Sequence, residues 1–134
     1  RQSSKTSTGS SSEKKRRLSL VLPLPMSVNR LYAYNRFTRQ KIYKREGTQY
    51  LENVAKLVAN FVKRNGIRPL DEYFYLDIDW FLTRVNADSH NYLKLAMDVL
   101  QRGGLVADDR YIMNRTQSIS IDKENPRFII SFDV

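Results

Sequence analysis

The stretch Asn86 to Ile112, NADSHNYLKLAMDVLQRGGLVADDRYI, concentrates the side chains whose types and spacing suit chemistry. It holds Asp88, His90, Asn91, Lys94, Asp98, Asp108 and Asp109. Magnesium prefers carboxylate and water oxygens and usually takes only a few protein ligands. Phosphodiester hydrolysis with such a metal needs acids that converge from separate elements. One ion activates the attacking water and another can stabilise the leaving oxygen. A nearby lysine can neutralise charge that develops on the phosphate. Asp88, Lys94 and Asp108 or Asp109 would supply such a set. Each residue also has a plainer use. Asp88 or Ser89 makes a good helix N-cap. Asp98 can face solvent or metal, or pair with Lys94 or Arg102. Asp108-Asp109 can be an ordinary turn. Spacing alone leaves these choices open.

The elements that must position this set are legible in outline. Leu18 to Leu22 is a short apolar strand stopped by Pro23 and Pro25. A basic loop follows from Ser27, with room for a hairpin near Phe37 to Tyr43. Thr48 to Asn65 reads as a helix, because Leu51, Val54, Ala55, Val58, Phe61 and Val62 recur three and four apart. Gly66 and Pro69 end it. Tyr73 to Thr83, rich in aromatics and partly alternating, reads as a strand. Asn91 to Arg102 is a second helix, with Leu93, Ala96, Met97 and Leu100 expected to face the core and Gly103-Gly104 to stop it. Strands near Tyr111 to Ile121 and Phe128 to Phe132 close the chain. The order β-α-β-α-β-β predicts an α+β fold, a mixed β-sheet with two helices packed on one face.

Charge is segregated. Residues 1–17 carry six bases and one acid, and residues 28–45 carry six bases and none. The remaining stretch, 46–134, has 11 bases against 13 acids, so the net +9 resides in the arm and the loop. Such segregation favours a polyanionic partner. Arg30, Arg36, Arg39, Lys41, Lys44 and Arg45 are the candidate contacts to a phosphate backbone, with Tyr32, Tyr34, Phe37 and Tyr43 interleaved as stacking or core residues. Residues 1–17, Ser/Thr-rich and nearly without apolar side chains, are expected to be a disordered basic tail, with the folded domain at 18–134. The tail's composition also resembles a transit peptide, but no amphipathic helix is evident in it. The chain has no cysteine, which removes disulfides and thiolate metal sites and suits a reducing compartment. No apolar run approaches the ~20 residues of a membrane span.

Three motifs, in order, resemble the RusA-type Holliday junction resolvases. The first is Pro25-Met26-Ser27-Val28-Asn29-Arg30-Leu31-Tyr32, after the first strand. The second is Asp88-Ser89-His90-Asn91-Tyr92-Leu93-Lys94 followed by Asp98. The third is Gly104-Leu105-Val106-Ala107-Asp108-Asp109, running into a strand. The resemblance implies a homodimer that makes paired symmetric nicks in a four-way DNA junction, a two-fold assembly on a two-fold substrate. It implies Mg²⁺, with Mn²⁺ as the alternative ion, and neither a small-molecule cofactor nor a membrane. The implied setting is cytoplasmic, DNA-associated recombination and repair. By residue it implies metal ligation by Asp88, Asp108 and Asp109, Asp109 being the stronger candidate of the pair. Lys94 takes the place of the catalytic lysine, and Asn91 positions the cluster.

The chain departs from the family pattern at His90, which stands where the family has a second carboxylate. Imidazole suits Mn²⁺ or Zn²⁺ better than Mg²⁺. His90 can therefore be a ligand with altered metal preference, a phosphate contact, or an acid–base group. Asp88 and His90 converge only if the helix starts after His90, since residues two apart point about 200° apart on a helix. The expected helix start is therefore Asn91. Two rival readings stand beside the nuclease, and the departure at His90 favours the first. One is a non-catalytic branched-DNA-binding protein of the same fold. The other is a basic RNA-binding module whose acids only solvate its surface.

Overall fold

A computed structural model describes residues 16–25, 32–34, 41–84 and 89–134, with backbone alone at 32–34, 41–42 and 89–91. The elements are β1 (Arg17–Pro23), β2 (Tyr32–Tyr34), β3 (Lys41–Tyr43), α1 (Arg45–Asn65), β4 (Phe74–Leu82), α2 (Ser89–Arg102), β5 (Ile112–Ile121) and β6 (Arg127–Asp133). A 3-10 turn, Asp109–Tyr111, precedes β5. Four strands form one mixed sheet in the order β1-β6-β4-β5, and β2 pairs with β3 in a separate ribbon. The predicted α+β class and element order hold, with the ribbon lying inside the basic loop. β1 takes in Arg17, which the expected tail had included; residues 1–15 lie outside the described residues.

The sheet is built by alternation. In β4, Leu76, Ile78, Trp80 and Leu82 are buried against the helices, while Asp77, Asp79 and Phe81 point to the other face. β6 contributes Phe128, Ile130 and Phe132 to the same core, and β1 contributes Leu22. Trp80 stacks obliquely on Phe128, with ring centroids 5.5 Å apart. β4 and β5 run parallel, so the chain between them must cross over, and α2 is that crossover. α1 buries Leu51, Val54, Val58 and Phe61, as its spacing predicted, and ends at Gly66.

The open face of the sheet is held by a buried carboxylate. Asp77 receives Arg17 from β1 at 2.5 Å and Arg115 from β5 at 2.7 Å. Gln117 adds a bond at 3.2 Å. Gln117 occupies a register shift in β5: Ile78 pairs with Thr116 but Asp79 with Ser118. One side chain thus ties both edge strands to the centre. The two guanidiniums, Arg115 first, hold the Asp77 carboxyl below the usual carboxylate range. A depressed folded value means that this contribution is present above the unfolded carboxyl value, about pH 4, and is lost as pH falls through the folded value. Asp77→Asn should cost about 1–2 kcal/mol near neutral pH, since the stranded arginines are half-exposed and can rehydrate. Denaturant unfolding of both proteins from pH 7 to pH 3 checks this. The gap between them should begin to narrow below about pH 4 and go on narrowing as pH falls further; a gap that stays constant with pH would rule out the ionic clamp.

Candidate active site

α2 carries the middle of the expected constellation. It starts at Ser89, two residues before the expected Asn91, so His90 lies within its first turn. This corrects the expected helix start after His90, because the backbone at 89 and 90 is already helical. Asp88 itself, and the side chains of His90 and Asn91, lie outside the described residues. The helix is also rotated from its expected setting. Tyr92, Leu95, Ala96, Val99 and Leu100 are buried, whereas Leu93 and Met97 are only half-buried. The buried stripe begins with Tyr92, whose phenol pKa is pushed up by burial.

Lys94 is exposed, on the face away from the core. Asp98, one turn on, is half-buried, and its Oδ2 accepts the Tyr43 hydroxyl. The alternatives left open for Asp98 are thereby narrowed: its described partner is the end of the ribbon. Half-buried Tyr43 serves as a tether at the ribbon's base. The side chains of Tyr32 and Tyr34, and all of Phe37, lie outside the described residues.

The return to the acidic pair is tightly anchored. Gly103 follows α2, and a Cβ placed there would lie 2.4 Å from Val58 Cβ and 2.9 Å from Ala55 O. α1 and α2 therefore meet at a point only glycine permits. Gly104 adopts φ +83°, in the left-handed region, and turns the chain. Leu105 and Val106 are then buried. The Leu70 N–H donates to Leu105 O at 2.8 Å, and the Ala107 N–H donates to Leu70 O at 2.9 Å. Asp108 follows directly and caps the 3-10 turn, its Oδ1 accepting the Arg110 N–H at 2.9 Å. Asp109 is exposed in that turn. The two acids thus differ: Asp108 has a local structural task, and Asp109 presents its carboxylate to solvent. Arg110 lies beside them, with its guanidinium 4.9 Å from the Tyr111 ring centroid.

Among the described residues no three carboxylate or imidazole groups gather into a metal site. Asp88 and the His90 side chain, half of the expected ligand set, lie outside the described residues. The described carboxylates Asp108 and Asp109 are hard oxygen donors of the kind Mg²⁺ takes. Of the candidate phosphate contacts, Lys41 lies in β3, Lys44 precedes α1, and Arg45 opens it, the last two exposed. Arg30, Arg36 and Arg39 lie outside the described residues. On the open sheet face Arg17, Arg115 and Arg127 are each bonded to a carboxylate, so that face is poorly suited to a polyanion.

Two features went unread in the sequence. Asp77 and Asp79 fall at the outward phase of an otherwise apolar strand, which is a signal for a polar face but not for its partners. The Tyr43–Asp98 bond had no sequence signal. No helix among the described residues is long and apolar enough to cross a membrane. No curated protein matches the chain. A family model of endodeoxyribonuclease RusA matches residues 23–132, from the end of β1 to the last strand. The chain belongs to the endodeoxyribonuclease RusA family.

Proposed function

We propose that the protein is a metal-dependent endodeoxyribonuclease that resolves four-way DNA junctions, acting as a homodimer that nicks two symmetric strands. The observation that carries this is the acidic turn itself. Asp108-Asp109 is anchored at the end of the crossover whose helix bears Lys94, within a chain whose family is a DNA endonuclease. Asp88, Asp108 and Asp109 would hold Mg²⁺, or Mn²⁺ with His90 included. When bound, the metal supplies an activated water and charge neutralisation at the phosphate. Asp109, unencumbered by capping, is the main protein ligand of the turn. Lys94 approaches the non-bridging phosphate oxygens and offsets their growing charge. Asn91 lies one turn before Lys94 and orients the cluster. Lys41, Lys44 and Arg45, with Arg30, Arg36 and Arg39, follow the DNA backbone.

The identity of residue 90 favours a second reading, a branched-DNA-binding protein that has lost catalysis. A synthetic four-way junction, incubated with the protein in Mg²⁺ and then in Mn²⁺, separates the two. Symmetric nicks are expected, with Mn²⁺ the better ion and His90→Asp raising the Mg²⁺ rate by about tenfold or more. Binding without nicks in either ion, for parent and variant alike, would favour the non-catalytic reading. Sedimentation at micromolar concentration checks the dimer; a monomer both with and without junction would exclude paired nicking by a preformed pair.

A further inference from the structure

The ribbon of β2 and β3 pairs over only three residues a side. A hairpin that short does not hold its own orientation in water, so what fastens its base decides where it points. Tyr43 is the last residue of β3, and its hydroxyl donates to Asp98 across 55 residues of sequence. Both groups are half-buried. A hydroxyl-to-carboxylate bond in such a setting is stronger than an exposed one. Asp98 is four residues past Lys94, on the same face of α2. The bond therefore connects the ribbon, which carries Lys41 among the proposed DNA contacts, to the helix carrying the proposed phosphate lysine.

We infer that Tyr43 and Asp98 are positioning residues: their bond sets the angle of the basic ribbon to α2, and so selects which phosphodiester is presented to the acidic turn. The inference rests on the nuclease reading above. Contacts from bases to the DNA backbone give affinity without demanding a fixed register. Cleavage does demand one, since a displacement of about 1 Å can cost about 100-fold. Loosening the joint should therefore spare binding and harm placement.

The variants are Tyr43→Phe, which keeps the ring, Asp98→Ala, which removes the acceptor, and the two combined. Each should bind a four-way junction within about twofold of the parent and cut it about tenfold more slowly at saturation. The nicks should spread to neighbouring phosphodiesters, an effect that a merely structural role would not produce. The double variant should be no worse than either single one, since one bond is lost in all three. A second readout needs no cleavage. The chain has no cysteine, so Ala33→Cys with Gln101→Cys places one spin label on the ribbon and one on α2. The distance distribution should broaden when Tyr43→Phe is added. An unchanged distribution overturns the joint. A broadened distribution with nicks still at the parent position overturns its role in selecting the phosphodiester. A parent that cuts no junction overturns the nuclease reading alone, and the distance distributions then still decide the joint.

Discussion

Asp109→Asn is expected to slow junction cleavage by at least about 100-fold, a loss of about 3 kcal/mol of transition-state stabilisation, while junction binding stays within about twofold. The change keeps the shape of the side chain and removes its charge. Asp109 is exposed and makes no described side-chain hydrogen bond, so the fold should not feel it. Its neighbour provides the contrast. Asp108 caps the 3-10 turn through the Arg110 N–H. Asparagine can cap as aspartate does, so Asp108→Asn should reduce cleavage without loss of stability. Asp108→Ala should reduce cleavage and also cost about 1 kcal/mol of stability. Single-turnover cleavage beside equilibrium unfolding measures both effects. Parent-like cleavage by Asp109→Asn would remove that residue from the proposed metal site.

The second large effect concerns the junction of the two helices. Gly103→Ala is expected to cost about 3 kcal/mol, at the upper end for overpacking, and to lower the melting temperature by roughly 10 °C. The new Cβ would meet Val58 Cβ at 2.4 Å and the Ala55 carbonyl at 2.9 Å, and neither can swing aside, because both belong to the body of α1. Relief requires α1 and α2 to part, which would also shift the turn that carries Asp108 and Asp109. Gly104→Ala is the control. Nothing lies within 4 Å of its would-be Cβ, and its cost comes from φ +83° alone, about 1 kcal/mol. Thermal unfolding should rank Gly103→Ala well below Gly104→Ala. Equal costs would show that helix contact at Gly103 is looser than 2.4 Å implies.

Much of this was legible in the sequence. The apolar spacing of Leu51, Val54, Val58 and Phe61 marked α1, and all four are buried. The aromatic run around Trp80 marked β4, and the double glycine marked the end of α2. Local patterns of this kind reflect the periods of helix and strand, which neighbouring residues settle among themselves. The three ordered motifs pointed to the family, and residues 23–132 match it.

What the sequence by itself determined is therefore the class of each element, the segregation of charge, and the acids available for chemistry. The acidic set divides once the chain is folded: Asp108 becomes a cap, Asp109 an exposed carboxylate, and Asp98 the partner of Tyr43. Only tertiary structure decided these, and likewise the rotation of α2 that buries Tyr92 and Leu95 in place of Leu93 and Met97. Arg17 and Arg115 meet at Asp77 from 60 and 38 residues away. Such pairings depend on strand register and helix packing summed over the whole core, and no local period encodes them.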